Sequence, residues 1–581
     1  MKNSSESDLS WFEKFLSKIE STPSSDRLLL RLVFFIVIAS GIWLLISVNS
    51  NFSEVTATTG GSFTESIIGT PRFVNPALAI TRVDQDITAL VYSGLMKIAT
   101  DGSLVNDLAE SITTSEDGLT YDIVLKNDVK FHDGENLTAK DVVYTIQLIQ
   151  NPDLKSPLRG NWTDVTVEQL SDYELMVTLE EAYAPFIENF TLGIIPAHAW
   201  SSLPIEQLPF SQLNTEPIGS GPFKITDAGR DTSGLINHYT LSAYRENDID
   251  PKINKIELSF YQNEDLLMTA LTENKVDATA YLSPTNLNKI DSEKYQLIEV
   301  PIPRTFGIFF NQNRDAALRD LSAREALTAA IDRDALINST LLGHGVPIYG
   351  PIEFSEPELK LADSKNVETS TSTLVDNAIK ILNDGGWVKN EKGLWEKKIN
   401  SELVTLSITI RTSNAPLFDS LVNLIAKQWQ AVGVEVLTEQ FEQTGLVQSV
   451  IRPRDFEALL FGLDMSRSYD MYPFWHSSQQ DDPGLNIAQY TNVNVDELLE
   501  SARTEQVETE RIESLRQASQ VIQDEKPAVF LFQPTLTYLV NKKVMVAKIN
   551  NIGRPSDRFS NVAEWHTESE SLWPLFRNED M

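Results

Sequence analysis

Residues 28–48 are the feature that most restricts how this 581-residue chain can fold. They read LLLRLVFFIVIASGIWLLISV, and Arg31 is their one charged residue. As a helix rising about 1.5 Å per residue, such a run crosses the roughly 30 Å hydrocarbon core of a bilayer. A cleaved signal peptide has a shorter apolar region nearer the start of the chain. We therefore predict an uncleaved transmembrane anchor over residues 27–48.

The charges flanking this run predict which side of the membrane the rest of the chain occupies. Basic residues precede the run at Lys2, Lys14, Lys18 and Arg27. After it, the next Lys or Arg is Arg72. Because cytoplasmic flanks carry the excess of basic residues, residues 1–26 are predicted to be a cytoplasmic tail. Residues 49–58 are predicted to be a linker, and the bulk of the chain is expected to be extracytoplasmic, either periplasmic or at the cell surface.

Length and composition exclude several classes of protein. With 581 residues the chain exceeds one ordinary core, so two or three domains are expected. The formal net charge of -34 repels phosphate backbones, which argues against a nucleic-acid partner. The chain has no cysteine, and this excludes disulfides, a thiol nucleophile, a thiolate metal site and a lipid anchor on cysteine.

Local patterns after the linker indicate an α/β protein. Asp117-Gly118 precedes an alternating run at residues 119–125, LTYDIVL, which is typical of a β-hairpin. Residues 403–410, LVTLSITI, alternate like a strand, and residues 416–432 have helical periodicity. Gly433 then stands where a helix ends, before another apolar run. The pattern predicts a strand, helix, strand unit.

The stretch at residues 129–146, VKFHDGENLTAKDVVYTI, raises the question of a catalytic site because it places a histidine beside a carboxylate. His132 and Asp133 fall where a turn favours polar residues. Thr138 and Asp141 have the spacing of a helix capping box, with negative charge in the first turn. We interpret the stretch as scaffold.

Motifs for catalysis or cofactor binding are absent from the sequence. The six histidines are scattered without metal-ligand spacing. Residues 219–221, GSG, lack the outer spacing of a nucleophile elbow and are followed by Pro222. The chain also has no phosphate-binding or dinucleotide-binding glycine loop. We therefore expect a binding protein that is not an enzyme and needs no cofactor or metal.

Several short motifs occur together in one order along the chain. They are LAES at 108–111, EDGLTY at 116–121, VKFHDG at 129–134, PIGSGPF at 217–223, AREALTAAIDR at 323–333 and GGW at 385–387. In this order they resemble the family 5 extracellular solute-binding proteins, the peptide, dipeptide and nickel-type receptors of ABC importers. The resemblance covers roughly residues 59–544.

The resemblance implies an α/β architecture, the type II two-lobed fold of periplasmic binding proteins with an extra inserted subdomain, here combined with the N-terminal transmembrane helix. Two strands are expected to cross between the lobes, near residues 301–310 and 527–540. The predicted division assigns 59–96, 217–302 and 527–575 to the core of lobe I, 97–216 to the inserted subdomain of lobe I, and 303–526 to lobe II.

The resemblance also implies candidate ligand residues. Peptide receptors of this family hold the ligand's α-ammonium with an aspartate and pair its backbone with strand-like edges. Asp470 is the best match to that aspartate, and Asp464 is the second. The other candidates are Tyr472, Phe474 and Trp475 as aromatic cleft walls, Asn311 as a hydrogen-bonding residue near the hinge, and Arg411 as the partner of a ligand carboxylate.

The implied function is that of a membrane-anchored, monomeric solute-binding protein. It would enclose short peptides by hinge closure and deliver them to the permease subunits of an ABC importer. Two alternatives remain open. The same fold could bind a metal chelate, haem, an oligosaccharide or a signalling peptide, or the chain could be a surface hydrolase acting on cell-wall peptides.

Overall fold

The computed structural model describes residues 23–52, 54–247, 249–352 and 371–572, which form two compact units. The α-helices are α1 Ser24–Phe52, α2 Arg82–Val91, α3 Ala139–Gln150, α4 Ala197–Trp200, α5 Glu264–Thr272, α6 Pro284–Leu287, α7 Leu321–Ala329, α8 Arg333–Leu341, α9 Thr371–Asp384, α10 Pro416–Val432, α11 Gln443–Leu446, α12 Tyr472–Trp475, α13 Val493–Thr504 and α14 Glu508–Glu525.

The strands in chain order are β1 Glu54–Thr58, β2 Ser62–Ile68, β3 Met96–Ile98, β4 Leu104–Asn106, β5 Ala109–Thr114, β6 Thr120–Leu125, β7 Val165–Gln169, β8 Glu174–Leu179, β9 Phe223–Arg230, β10 Ile236–Ala243, β11 Lys255–Tyr261, β12 Ala278–Thr279, β13 Tyr295–Pro301, β14 Arg304–Phe310, β15 Gly345–Pro347, β16 Val388–Lys389, β17 Trp395–Ile399, β18 Glu402–Thr405, β19 Ser407–Ser413, β20 Glu435–Phe441, β21 Ala458–Asp464, β22 Ala528–Asn541 and β23 Glu568–Leu572.

The first unit contains the described residues up to Thr59 and those from Glu568 onward. Its elements are α1 and an antiparallel pair formed by β1 and β23. Large apolar side chains on α1 are exposed, among them Phe35, Trp43 and Leu45. The helix predicted here is present, but a membrane crossing over residues 27–48 is not supported. Across the described residues, no helix combines the length and apolar character that a membrane crossing requires.

The second unit, Gly60–Thr567, is built on a 12-stranded sheet. Its main path runs β20-β19-β21-β14-β22-β12-β2-β11-β10-β9, and β13 and β15 also pair with β22. The 14-residue strand β22 pairs through its first half with β14 and through its last half with β13. β13 and β14 are consecutive in the chain. The chain therefore passes from one side of the sheet to the other twice, once through β13–β14 and once, in the antiparallel direction, through β22. We call the side carrying β2 and β9–β13 lobe I, and the side carrying β14 and β19–β21 lobe II.

Four large hydrophobic cores occupy the second unit. Two are packed in lobe II, one around Trp429 and one around Trp475. One lies in lobe I around Trp565, and one lies beneath the four-stranded sheet β5-β6-β8-β7 around Trp162. Ala77 and Leu95, which the predicted division assigns to lobe I, belong to the core around Trp162. The domain boundaries themselves stay predictions.

A buried ion network fixes lobe I to the crossing strand β22. Arg558 donates to Asp86 at 2.7 and 2.8 Å and to Glu65 at 2.9 Å, and all of these side chains are fully buried. Tyr538 on β22 donates to Glu65, and Tyr281 donates to Asp86, each at 2.8 Å. Burial alone would lower the pKa of Arg558, but the two carboxylates raise it well above its usual value. The network therefore joins β2, α2 and β22 through one guanidinium.

The histidine stretch at residues 129–146 contributes to the scaffold, as interpreted from the sequence. The His132 ring lies between the Gly219 amide, 3.4 Å from Nδ1, and the Gly221 carbonyl, 3.0 Å from Nε2. Burial lowers the pKa of His132 to about 4, so the ring is neutral at physiological pH. The Asp141 carboxylate accepts from the Thr138 amide at 2.9 Å at the start of α3, as the capping box predicts.

Candidate functional site

The parallel strands of both lobes end at the crossing. In lobe I, β2 pairs parallel with β11 and β12, and β12 runs antiparallel to β22. In lobe II, β19 pairs parallel with β20 and β21, and β21 runs antiparallel to β14. The carboxyl ends on both sides therefore point toward the connection between β13 and β14. The residues at these ends are Ile68, Tyr261, Thr279, Ser413, Phe441 and Asp464, and we call the space that they border the carboxyl-end crevice.

A crevice at the carboxyl ends of parallel strands is where open α/β sheets bind ligands. Two further features of this chain suit that use. The long helix α10 begins at Pro416, just after β19 ends at this edge. The crossing strands β13–β14 and β22 connect the two lobes at the same place, an arrangement that suits closure by a hinge.

Asp464 and Arg304 form an ion pair at this edge. They are directly opposite each other in the β14–β21 ladder, and Arg304 Nη2 donates to Asp464 Oδ2 at 2.6 Å. Along β14 every residue except Arg304 is buried, and on β21 Asp464 is the exposed residue. Their side chains keep 47% and 59% of their surface exposed. The pair is therefore accessible to a ligand in the crevice.

Asp470, the other candidate for the ligand's ammonium, is already occupied by protein groups. Arg503 of α13 donates to its carboxylate through Nε at 3.1 and 3.3 Å and through Nη2 at 2.7 Å. The Tyr183 hydroxyl donates to it at 3.1 Å, and the Tyr472 amide donates at 3.1 Å. Only 9% of the Asp470 side chain is exposed. We call these four residues the Asp470 cluster.

Within the Asp470 cluster, the rings of Tyr183 and Tyr472 also lie against the Arg503 guanidinium. The Arg503 guanidinium lies 4.0 Å from the centre of the Tyr472 ring and 5.1 Å from that of Tyr183. Burial alone would lower the pKa of Arg503, but the hydrogen bonds and charge of Asp470 raise it. Burial, together with the Asp470 charge, raises the pKa of the Tyr183 hydroxyl, so that hydroxyl stays protonated and donates. The cluster is thus a satisfied ion pair.

The Asp470 cluster lies beside a second contact between the same chain segments. Tyr183 precedes the 3-10 helix Ala184–Thr191 of the predicted inserted subdomain, whereas Asp470 and Arg503 belong to lobe II. On that 3-10 helix, Glu188 lies 3.6 Å from Arg467 Nε. Residues far apart in the chain therefore hold the segment that contains Tyr183 and Glu188 against lobe II.

The predicted aromatic wall divides into packed and accessible residues. Trp475 is buried and packs against Phe309 and Phe530, with ring centres 6.2 and 5.8 Å away. Phe474 is also buried in that core. Tyr472 is half-buried, between Arg503 on one face and the stacked His476 ring on the other.

Asn311 and Arg411 are used by the protein itself, away from the Asp464–Arg304 pair. Asn311 follows the far end of β14, where it donates to the Arg454 carbonyl at 3.0 Å, so it does not lie near the crossing. Arg411 pairs with Glu439 at 2.7 Å and with Asp455 at 3.0 Å. The ligand roles predicted for these two residues stay predictions.

The sequence analysis missed Arg304, Arg503 and Tyr183. Arg304 had a usable signal, since it is the first residue of the strand predicted to leave the crossing. Arg503 and Tyr183 had none, since they are 33 and 287 residues from Asp470. In the part of the chain that the structure describes, no group of three or more His, Asp or Glu side chains is arranged to hold a metal ion.

Comparison with known proteins agrees with this geometry. The family model described as bacterial extracellular solute-binding proteins, family 5 middle, matches residues 103–484. The oligopeptide-binding protein AppA of Bacillus subtilis is 27% identical over 489 residues, covering 82% of this chain and 86% of AppA. The dipeptide-binding protein of Escherichia coli is 23% identical, covering 85% and 93% of the two chains.

A solved structure is similar in fold as well. The structure of the oligopeptide-binding protein AppA from B. subtilis in complex with a nonapeptide is 25% identical to this chain and has a TM-score of 0.61. It covers 88% of this chain and 99% of AppA. Since the family model matches more than half of the chain, in the region that contains lobe II strands and the inserted subdomain, this chain belongs to the family 5 bacterial extracellular solute-binding proteins.

Proposed function

We propose that this protein captures short peptides in the carboxyl-end crevice and delivers them to the permease subunits of an ABC importer. The observation that carries the proposal is the pair of opposed carboxyl-end edges at two crossing strands. Peptide is favoured as the ligand because the similar AppA proteins are described as oligopeptide-binding and as holding a nonapeptide.

Asp464 is the residue that we propose for the ligand's α-ammonium. Asp470 is the weaker candidate because an incoming ammonium would have to displace Arg503 and Tyr183 from a buried carboxylate. Asp464 has a single side-chain partner among the described residues, and its position is exposed. A charge-assisted hydrogen bond in a crevice that closes is stronger than a neutral one.

The other predicted ligand residues receive supporting roles in this proposal. Tyr472 borders the ligand, and Phe474 and Trp475 pack behind it. Asn311 stabilises lobe II at the opposite end of β14, and Arg411 stabilises it by pairing with Glu439 of β20. Hydrogen bonds between the ligand's backbone and strand edges do not depend on the ligand's side chains, so a broad range of peptides is expected to bind.

Binding without chemical conversion, a monomeric state and an extracytoplasmic location complete the proposal. Attachment to a membrane through residues 27–48 is also part of it, motivated by the apolar sequence and by the exposed apolar side chains on α1. Fractionation of cells that express the full-length chain or a chain lacking residues 24–52 tests this point. Recovery of both in the soluble fraction would remove the anchor from the proposal.

The binding proposal is tested by adding di- to hexapeptide pools to the purified chain and following its melting temperature. Each pool is supplied with a free or an acetylated N-terminus, because ligand binding stabilises the native state by mass action. We expect free-amine pools to stabilise the protein and Asp464→Asn to remove their advantage over acetylated pools. Asp470→Asn is expected to lower the melting temperature without removing that advantage.

The outcomes separate the candidates. If no peptide pool stabilises the chain, the peptide ligand is wrong, and elemental analysis and sugar arrays address the chelate, haem and oligosaccharide alternatives. If Asp470→Asn alone abolishes the free-amine preference, the assignment of the ammonium site to Asp464 is wrong. Accumulation of cleaved peptide would support the hydrolase alternative.

A further inference from the structure

We propose that Arg304 is a specificity-determining residue that selects peptides whose first residue is acidic. The proposal rests on the function given above, because it requires peptides to place their N-terminus at Asp464. It adds to the recognition site a cation, Arg304, that hydrogen-bonds the ligand group next to the ammonium.

The position of Arg304 is fixed by the crossing. It is the first residue of β14, separated from the end of β13 by two residues, and its cross-strand partner is the last residue of β21. The Met465 amide donates to the Pro303 carbonyl at 2.8 Å, which extends the pairing by one step beyond the ion pair. The guanidinium and the carboxylate are therefore held side by side at the edge of the crevice.

Both members of the pair keep unused hydrogen-bonding capacity. Within the described residues, one side-chain hydrogen bond involves Arg304, from Nη2 to Asp464 Oδ2, and Asp464 Oδ1 has no partner. A guanidinium has five N–H donors, and a carboxylate accepts through both oxygens. The pair can therefore accept an ammonium at Oδ1 while the remaining N–H groups of Arg304 donate to a neighbouring acceptor.

The chemistry of that acceptor decides affinity. An ordinary peptide N-terminus offers an ammonium and, beside it, a neutral carbonyl oxygen. An N-terminal Glu or Asp adds a carboxylate, and guanidinium–carboxylate hydrogen bonds are charge-assisted and frequently bidentate. A first-residue Lys instead brings a like charge toward Arg304, which is unfavourable.

The overall charge of the chain makes this local cation significant. A net charge of -34 disfavours an anionic ligand in general, so selection of acidic peptides requires a placed cation. The other arginines discussed for lobe II are held differently: Arg411 is held by two carboxylates, Glu439 and Asp455, and Arg503 is held by the buried Asp470. Arg304 is the one whose carboxylate partner is itself proposed to bind the ligand.

The test measures binding of Glu-Ala-Ala, Gln-Ala-Ala and Lys-Ala-Ala to the full chain by calorimetry. In the wild type we expect the Glu peptide to bind about tenfold tighter than the Gln peptide, and the Lys peptide to bind most weakly. Arg304→Gln should bring the Glu and Gln peptides within about twofold of each other. Arg314→Gln is the matched control, because Arg314 has similar exposure and an Asp partner at the opposite end of the strands.

Salt dependence supplies a second readout on the wild type. The preference for Glu over Gln should shrink between low and high ionic strength, because an exposed ion pair is screened. Equal affinities of the wild type for the two peptides, or an undiminished preference in Arg304→Gln, would overturn the inference. If Arg304→Gln does not fold, the wild-type ratio and its salt dependence decide alone. Failure of the underlying function would look different, since none of the three peptides would bind.

Discussion

Replacement of Arg503 by methionine tests whether the Asp470 cluster is a structural ion pair, as its burial indicates. Methionine keeps an unbranched apolar stem, although a shorter one, and removes the charge. Asp470 would retain only the Tyr183 hydroxyl and the Tyr472 amide as partners, at 3.1 Å each. The carboxylate would then be buried without a counter-ion, which is the costly situation for a charge.

The expected cost follows from the exposure of the two side chains. Removal of one partner from a fully buried pair costs about 3–5 kcal/mol. Arg503 keeps 31% of its side chain exposed, whereas Asp470 keeps 9%. Water at Arg503 already weakens the pair, so we expect Arg503→Met to lower the free energy of unfolding by about 2 kcal/mol.

The assay is urea unfolding followed by tryptophan fluorescence, applied to Arg503→Met, Asp470→Asn and the double variant. If the two groups act on each other, the double variant should be less destabilised than the sum of the single variants by about 1–2 kcal/mol. The comparison requires equal slopes of free energy against urea, because a changed slope reports a changed unfolding transition.

Arg511→Met is the matched control. Arg511 lies on α14 and donates to the neutral carbonyl of Ser468 at 3.0 Å, so its loss should cost about 1 kcal/mol or less. If the two single variants of the Asp470–Arg503 pair were additive, or if Arg503→Met cost no more than Arg511→Met, the pair would not be structural. The ammonium role of Asp470 would then have to be reconsidered.

Three further predictions concern the scaffold. Arg558→Met should cost about 3–5 kcal/mol, because it leaves the buried Glu65 and Asp86 carboxylates unpaired, and the yield of folded protein and its melting temperature report this. The folded-state pKa of His132, about 4, lies below its unfolded value of about 6.5, so its contribution is present above that value and is lost as pH falls toward 4. Stability profiles should therefore show a loss of up to about 3 kcal/mol over this range that His132→Asn reduces. Asp141→Ala should cost about 1–2 kcal/mol in thermal unfolding, because the Thr138 amide at the start of α3 loses its acceptor.

Features set by neighbours in the sequence were predicted well. The periodicity at 416–432 matches α10, Pro416–Val432, and Gly433 has the left-handed φ of +100° expected of a helix-terminating glycine. The Asp117-Gly118 turn joins β5 and β6 as an antiparallel pair. The crossings expected near 301–310 and 527–540 correspond to β14 and β22, since apolar runs of strand length were visible there.

The strand predicted over residues 403–410 shows where a hydrophobic pattern is insufficient. The run is divided into β18, Glu402–Thr405, and β19, Ser407–Ser413, which belong to different sheets. Leu406 between them is fully buried, and its amide donates to the Trp395 carbonyl at 2.8 Å. The alternation continues across the break because both strands cover the same core, so the sequence carries no mark of the change of sheet.

The choice between Asp470 and Asp464 depends on contacts that the local sequence does not contain. Both carboxylates lie in one short segment that begins with the last residue of β21, and both are followed by aromatic residues. Asp470 is contacted by groups 33 and 287 residues away, and Asp464 gains its neighbour from a strand 160 residues earlier. These partners are set by the order of strands in the sheet and by packing of the inserted subdomain. A family motif can therefore locate a candidate binding segment, but strand register and packing decide which carboxylate in it stays exposed, and our proposal assigns ligand preference to the cation beside that carboxylate.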